Sequence, residues 1–363
     1  MNAPERFTLN MTRFIRAPRE KVFDAFATQA GLASWMGTRG MSLRGVQANP
    51  HVDGAWRVEM VARDGSSYIV GGQFKQLQRP SRVVYTWQWQ GEKSPMPHVE
   101  TLVEVTLTEK DSGTELQMKH SGFPVAAARE GHNQGWMSTF NRLNDYLDPE
   151  GMAGTITLLG DLRSSYTRTA RMALAEKQVA YTMKSSAPHS PDILAAHPFG
   201  RIPALRDGEI DIWETAAILN YLDECFDTGV SLGPDGILAR TRCTQWISAV
   251  NSYLYDTMIR RYLLQVFFPR GEGGQPDRGV IDKALAEMPA QLAALDKAYG
   301  SGDYLAGASL SGADLFVAPV LAGLQFLPEG GKLMANYPNV LRAQGVIRQR
   351  ASFTSTNPPT SPR

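Results

Sequence analysis

Cysteine is scarce in this chain, since only Cys225 and Cys243 occur among its 363 residues. Two cysteines outside any CxxC pair give no disulfide framework, which is typical of a reducing compartment. Long apolar runs are also missing: no stretch reaches about 18 residues, and the first residues lack the apolar core of a signal peptide. We therefore predict a cytoplasmic protein that does not span a membrane.

An excess of charge of one sign is missing as well. The formal net charge is +1, and basic and acidic residues are balanced in each half of the chain. This balance argues against binding to nucleic acid or to anionic membranes, both of which require a basic surface. Histidine and cysteine form no cluster with the spacing of metal ligands, so we expect no metal site.

Alternating apolar residues dominate the first half of the chain. Residues 83–89 and 103–107 alternate with period two, and Asp-Gly pairs at 53–54 and 64–65 mark turns between such runs. The pattern predicts antiparallel strands joined by hairpins. A sheet with one apolar face requires a cover, and the helical spacing over 133–147 supplies it.

The pattern changes after residue 151. Residues 155–159 predict a strand, 167–177 a helix, 204–212 a hairpin and 215–226 a further helix. A β–α unit followed by a β–β–α unit is typical of a small mixed α/β domain. Beyond it the apolar spacing is helical, until a final stretch rich in Ser, Thr and Pro.

The predicted fold class is therefore α+β and multidomain. An antiparallel sheet that grips a long C-terminal helix comes first, then a mixed α/β domain, then an all-α domain. The predicted segments are a helix-grip domain over 1–150, an α/β domain over 153–230, an all-α domain over 236–350 and a disordered tail over 351–363.

Four motifs in the second part have the order and spacing of one known family. They are Ser164-Ser165-Tyr166-Thr167-Arg168, His197-Pro198-Phe199-Gly200-Arg201-Ile202-Pro203, Glu214-Thr215-Ala216-Ala217-Ile218 and Ser311-Gly312-Ala313-Asp314. In this register they resemble the serine-type glutathione transferases, with features of the zeta and phi classes. The resemblance implies a thioredoxin-like glutathione-binding domain, an all-helical domain, glutathione as co-substrate and a homodimer.

Ser164 lies where serine-type members of that family place the hydroxyl that stabilises the thiolate. A free thiol titrates near 8.5 and only the thiolate attacks, so lowering the pKa by about two units requires ~2.7 kcal/mol. One hydrogen bond to a charged acceptor contributes about 1.5–3 kcal/mol, and a helix N-terminus adds to it. Ser165 and Tyr166 stay open as alternative donors, and Ser164 as a helix cap alone.

The other glutathione contacts follow from the same resemblance. The Ile202-Pro203 bond is expected to be cis, which lets the backbone of residue 202 pair with the cysteinyl part of glutathione. Thr215 suits the γ-glutamyl carboxylate, Glu214 its ammonium group and Arg201 the glycine carboxylate. An ordinary capping pair and a solvated surface arginine are the alternatives. Ser165 is a further candidate contact, and Ser311 with Asp314 is interpreted as a capping box.

Residues 7–147 resemble the SRPBCC (START-like) superfamily, in particular the branch homologous to the activator of a heat-shock-protein ATPase. The similar segments are 16–26, 83–87, 113–116 and 120–123. In that fold the sheet and the long helix can enclose an apolar cavity. Tyr85, Trp87 and Trp89 are candidates to line it, and core packing is the alternative. We predict a small hydrophobic ligand or a regulatory role for this domain.

The sequence as a whole predicts a detoxification enzyme that activates glutathione and adds it to a small hydrophobic electrophile. One alternative is a glutathione-dependent isomerase, because the pair Ser164-Ser165 resembles the zeta class. Another is a non-catalytic glutathione-binding or scaffold module, because Tyr166 replaces the cysteine of that class. In a further alternative, the N-terminal cavity delivers an apolar electrophile to the transferase.

Overall fold

The computed structural model describes residues 6–91, 96, 99–149 and 156–359. Contacts between Cα atoms divide the chain into two compact units, Met1–Thr157 with Arg206–Ile210 and Leu158–Leu205 with Asp211–Arg363. The predicted boundary at 150–153 falls on residues outside the described ones, and the boundary at 230–236 stays a prediction. Within the described parts, no helix is long and apolar enough to cross a bilayer.

One antiparallel sheet of seven strands forms the first unit. The strands are β1 (Phe7–Ile15), β2 (Ser42–Ala48), β3 (Ala55–Val61), β4 (Ser67–Gln78), β5 (Arg82–Gln90), β6 (Glu100–Lys110) and β7 (Gly113–Phe123). Their order is β1-β7-β6-β5-β4-β3-β2, so chain neighbours pair except that β1 joins β7. The predicted turns at 53–54 and 64–65 are confirmed, because Asp53 and Gly65 adopt positive φ angles of 62° and 84° that these residue types tolerate.

Three helices complete the first unit: α1 (Arg19–Ala27), α2 (Gln29–Trp35) and α3 (Ala126–Leu147). The long helix α3 is the predicted cover, and its Trp136, Phe140 and Leu143 belong to the core. It begins at residue 126 and not at residue 133 as predicted. Its first turns are mostly exposed, so they carry no apolar periodicity to reveal them.

Aromatic rings fill much of the core of this unit. Tyr85 and Trp87 are 3% and 6% exposed and pack on Trp56 at ring-centroid distances of 5.3 and 5.5 Å, while Trp89 is partly buried. Within the described chain, the Tyr85 hydroxyl and Trp87 Nε1 have no hydrogen-bond partner. Both rings therefore pack in the core, and the apolar ligand of this domain stays a prediction.

Two buried histidines accept hydrogen bonds from tryptophans in this core. Trp136 Nε1 donates to His120 Nδ1 at 3.1 Å, and Trp89 Nε1 donates to His132 Nε2 at 2.9 Å. The other nitrogen of each ring donates a hydrogen bond: His120 Nε2 to the Thr101 hydroxyl and His132 Nδ1 to the Ala128 carbonyl, both at 2.8 Å. Burial lowers the pKa of both rings, and His132 lowers that of His120 further. Each network requires a neutral imidazole.

A four-stranded sheet follows in the chain, in the order β11-β10-β8-β9. Its strands are β8 (Ile156–Gly160), β9 (Thr182–Ser185), β10 (Ala204–Asp207) and β11 (Ile210–Trp213), and its helices are α4 (Ser165–Glu176), α5 (Pro191–Ala196) and α6 (Thr215–Cys225). The predicted strand, hairpin and two helices are confirmed, although Thr155, where the first strand was predicted to begin, lies outside the described residues. This β–α–β–α–β–β–α order is thioredoxin-like.

The rest of the second unit is helical, as predicted. Its elements are α7 (Ile237–Ala249), a π-helical segment (Val250–Leu263), α8 (Leu264–Phe267), a 3-10 turn (Glu272–Gly274), α9 (Arg278–Tyr299), α10 (Gly312–Phe326), α11 (Pro328–Met334), α12 (Pro338–Arg348) and α13 (Ala351–Thr354). The predicted capping box of α10 is present, since the amide and hydroxyl of Ser311 donate to Asp314 Oδ2 at 2.9 and 2.8 Å. Burial raises the pKa of Asp314 to about 6. The multidomain α+β class is confirmed.

The segment 350–357 corrects the prediction of a disordered tail over 351–363. Ser352 and Phe353 are buried, and Arg168 of α4 donates to the Phe353 carbonyl at 3.1 Å with its guanidinium carbon 4.0 Å from the ring centre. Glu176 of α4 accepts hydrogen bonds from Arg350 and Ser352. The polar groups of this segment, whose composition predicted disorder, therefore form hydrogen bonds with α4 as acceptors and donors. Residues 360–363 lie outside the described part.

Replacing Ser352 with alanine tests this packing. We expect Ser352→Ala to lower the free energy of unfolding by about 1.5 kcal/mol, because the buried hydroxyl donates to the Glu176 carboxylate and such bonds contribute about 1.5–3 kcal/mol. The control is Ser355→Ala in the same segment, where the side chain is exposed and the expected change is within about 0.5 kcal/mol. Urea unfolding followed by circular dichroism measures both, and equal stabilities would contradict the packed segment.

Candidate active site

Ser164 is the N-cap residue of α4. Its backbone is extended, with φ −68° and ψ 127°, and its Oγ accepts a hydrogen bond from the Thr167 amide at 3.3 Å. The Ser164 amide donates to the Asp161 carbonyl at 3.0 Å, which fixes the preceding turn. Capping uses the hydroxyl oxygen as an acceptor, so the hydroxyl proton can donate to a ligand at the positive end of the helix.

The turn between β8 and α4 depends on a close approach of the strand to the helix. A Cβ atom at Gly160, the last residue of β8, would lie 2.5 Å from Oγ1 of the buried Thr167. Only glycine fits at that distance. The strand end and the first turn of α4 are thus packed together, and this packing sets the position of Ser164.

The two alternative thiolate donors lie beside Ser164 in the first turn of α4. The Tyr166 hydroxyl donates to Asn251 Oδ1 at 2.9 Å, and its ring stacks on Tyr255 with centroids 4.5 Å apart and planes at 26°. Burial raises the pKa of Tyr166 well above its ordinary value, so the phenol keeps its proton. Ser165 is the first helical residue and is half-buried. The proton of Tyr166 is engaged, which favours Ser164.

The Ile202-Pro203 peptide bond is cis, as predicted. It directly precedes β10, and Ile202 packs against a buried cluster that includes Leu159 of β8. The neighbouring Arg201 is exposed. The backbone of residue 202 therefore enters the sheet beside the strand that leads to Ser164.

Glu214 precedes α6 in an uncommon backbone conformation, with φ 66° and ψ 123°. A non-glycine residue with positive φ is infrequent, and such residues cluster at ligand sites. Thr215 is the first residue of α6 and is 6% exposed. Glu214 Oε1 lies 3.8 Å from Nε2 of the buried His197. Burial lowers the pKa of His197 despite the opposing charge of Glu214.

Charged groups from separate elements act on the first turn of α4. The Glu214 carboxylate raises the pKa of Tyr166, and the Arg201 guanidinium lowers it, although burial is the larger cause. Arg260 and Arg201 oppose the burial that raises the pKa of Tyr255. Arg201 of the cis-proline loop and Glu214 at the start of α6 therefore both act electrostatically on Tyr166 at the head of α4.

Sequence reasoning missed three groups of this region, His197, Asn251 and Arg260. His197 belongs to a quoted motif but was given no role. Asn251 and Arg260 lie in the π-helical segment, a rare conformation that often marks functional sites and that sequence periodicity does not reveal. Within the described chain, no group of three or more His, Cys, Asp or Glu side chains could hold a metal ion.

Three family profiles match successive parts of the chain. Residues 16–148 match the activator of Hsp90 ATPase homolog 1-like protein. Residues 163–225 match the N-terminal domain of glutathione S-transferase, and residues 278–342 match its C-terminal domain. The first match begins directly after β1 and includes α3, the second spans α4 to α6, and the third spans α9 and the start of α12.

Individual proteins agree with these profiles. A probable glutathione S-transferase of Oryza sativa subsp. japonica is 32% identical over 152 residues, which are 42% of this chain and 69% of the relative. A glutathione transferase structure from Populus trichocarpa is 26% identical to this chain, with a TM-score of 0.51. The match covers 55% of this chain and 97% of the Populus chain. The structure of glutathione S-transferase-I with lactoylglutathione is 25% identical with a TM-score of 0.50, covering 56% and 98%. This chain therefore belongs to the glutathione S-transferase family and carries an additional SRPBCC-like domain ahead of the transferase domains.

Proposed function

We propose that this chain is a glutathione transferase in which Ser164 stabilises the glutathione thiolate for attack on a small hydrophobic electrophile. The observation that carries the proposal is the cap geometry, because the Ser164 oxygen accepts from the Thr167 amide and its proton can donate to sulfur. A hydrogen bond to an anion contributes about 1.5–3 kcal/mol and a helix terminus ~0.3–1 kcal/mol. Together they match the ~2.7 kcal/mol that a pKa two units lower requires.

The remaining parts of glutathione have partners around this cap in the proposal. The backbone of Ile202 pairs with the cysteinyl residue, and Arg201 binds the glycine carboxylate. Thr215 and the amides at the start of α6 bind the γ-glutamyl carboxylate, while Glu214, which is 57% exposed, binds the ammonium group. Ser165 lines the same turn. The similar glutathione S-transferase-I binds lactoylglutathione, which supports a tripeptide site here.

In the proposed reaction, the thiol proton leaves to solvent and the sulfur attacks the electrophilic carbon. A carbon–sulfur bond forms, and the bond from that carbon to its leaving group breaks. The chain supplies position and charge stabilisation and forms no covalent bond with substrate. The proposal includes a homodimer, which the family resemblance implies.

Replacing Ser164 with alanine is expected to lower kcat/KM for a chlorodinitrobenzene about a hundredfold, the ratio that corresponds to ~2.7 kcal/mol. The pKa of the bound thiol, measured by the ultraviolet absorbance of the thiolate, should rise in the same variant. Ser165→Ala is the matched control, and Ser164→Thr keeps both a capping oxygen and a hydroxyl proton. A bound-thiol pKa in Ser164→Ala that stays at the lowered value of the wild type, or an equal loss of kcat/KM in Ser165→Ala, would refute the assignment.

A further inference from the structure

Two stacked tyrosines lie at the head of α4 and have no role in glutathione binding as proposed above. Tyr166 and Tyr255 are 4.5 Å apart between centroids with planes at 26°, and Phe316 meets Tyr166 edge-on at 6.1 Å. The hydrogen bond from Tyr166 to Asn251 fixes the orientation of the pair. Both tyrosine rings are half-buried. We call this stacked pair the tyrosine platform, and it offers planar aromatic molecules a stacking surface.

A cation lies beside the tyrosine platform. The Arg260 guanidinium carbon is 5.8 Å from the centre of the Tyr255 ring, and its side chain is 57% exposed. Arg260 pairs with Asp256 at 3.0 Å, and Arg261 pairs with the same carboxylate at 2.7 Å. Arg261 has a second carboxylate in Glu287. Arg260 therefore shares the Asp256 carboxylate with Arg261, so the ion pairs among the described residues neutralise the charge of Arg260 only in part.

We propose that the tyrosine platform and Arg260 select planar aromatic electrophiles that carry a negatively charged group. The ring stacks at the platform and the anion lies toward Arg260, whose planar guanidinium suits a carboxylate. This inference rests on the proposed function and specifies its second substrate. With a halogenated ring, the thiolate sulfur bonds to the carbon that bears the halogen, that carbon–halogen bond breaks, and halide leaves. The thiol proton has already passed to solvent.

The kinetic test compares a neutral chlorodinitrobenzene with the corresponding chlorodinitrobenzoate on the full chain. After each kcat/KM is divided by its uncatalysed rate constant, the wild type should favour the benzoate. Arg260→Gln should lower that preference about fivefold, the effect of one partly exposed charge pair, and Asp256→Asn should raise it. The control Arg242→Gln removes an exposed charge in α7, 18 positions before Arg260. It should leave the preference unchanged.

A binding measurement keeps the test independent of catalysis. Dinitrobenzoate and dinitrobenzene, which lack the leaving group, are titrated by fluorescence quenching into wild type, Arg260→Gln and Arg242→Gln. If the wild type binds dinitrobenzoate more tightly than dinitrobenzene, and Arg260→Gln abolishes this difference, the inference is supported even when no conjugation occurs. In that case only the proposed function would fail. Equal affinities of the two ligands in wild type, or equal effects of the two arginine substitutions, would overturn the inference while conjugation itself stands.

Discussion

Asp223→Asn is expected to lower the free energy of unfolding by about 3–5 kcal/mol, because it leaves a buried ammonium group without its counter-ion. Lys177 and Asp223 are 2% and 7% exposed, and Lys177 Nζ lies 3.2 Å from Asp223 Oδ1. Asp223 also accepts from the amides of Leu232 and Gly233 at 2.8 and 2.9 Å. Asparagine keeps the shape of the side chain and one acceptor oxygen. Urea unfolding measures the loss.

Two controls separate the buried charge from other effects of the Asp223 substitution. Lys184→Ala removes an ion pair whose side chains are 52% and 48% exposed, and a change below about 0.5 kcal/mol is expected. The double variant Lys177→Met with Asp223→Asn removes both charges and should recover part of the stability, because apolar replacements of buried pairs are often tolerated. A double variant less stable than Asp223→Asn alone would argue against charge burial as the cause.

Acidification below about pH 6.5 is expected to destabilise the first unit through His120 and His132. Burial lowers the folded-state pKa of both rings, whereas an unfolded histidine titrates near 6.5. Below about pH 6.5 the unfolded chain therefore binds more protons than the folded chain. The stabilisation from the neutral rings is fully present above about pH 6.5 and is lost as the pH falls toward their folded-state pKa values. Each unit of pKa depression corresponds to about 1.4 kcal/mol per ring.

Tryptophan fluorescence suits this measurement, because the first unit contains Trp35, Trp56, Trp87, Trp89 and Trp136 of the seven tryptophans in the chain. The urea concentration at the midpoint of unfolding should decrease as the pH is lowered from 8 to 5. His132→Gln keeps a donor and an acceptor for its partners without titrating, so it should flatten the profile. His51→Gln, at an exposed position, should leave the profile as in wild type. A profile that stays equally steep in His132→Gln would remove His132 as a cause.

The sequence predicted the elements whose signals are local. Period-two alternation over 83–89 indicates β5, because one face of that strand is buried. The cis bond at Pro203 and the helix start at Thr215 agree with the prediction, whereas α4 begins at Ser165, two residues before the predicted start at 167. The strand β9 (Thr182–Ser185) was missed, since it has four residues of which three are exposed, too few for a period.

The candidate site was predictable in part for the same reason. Ser164 and Glu214 lie in contiguous motifs, but the hydrogen bond between Tyr166 and Asn251 joins residues 85 positions apart, and no local pattern encodes such a pairing. The ordered C-terminal segment was misjudged because composition counts Ser, Thr and Pro as solvent-facing. Ser352 and Phe353 contact Glu176 and Arg168 of α4, respectively, and these residues become neighbours only through tertiary packing.

The bond between Arg168 and the Phe353 carbonyl spans 185 positions, which has a consequence for synthesis on the ribosome. At about 5–20 residues per second, roughly ten to forty seconds separate the emergence of Arg168 from that of its acceptor. During that interval the guanidinium of α4 has to remain hydrated, and the helix lacks one of its packing surfaces. In a growing chain, the first turns of α4, which carry Ser164, thus reach their final packing only after residue 353 has emerged.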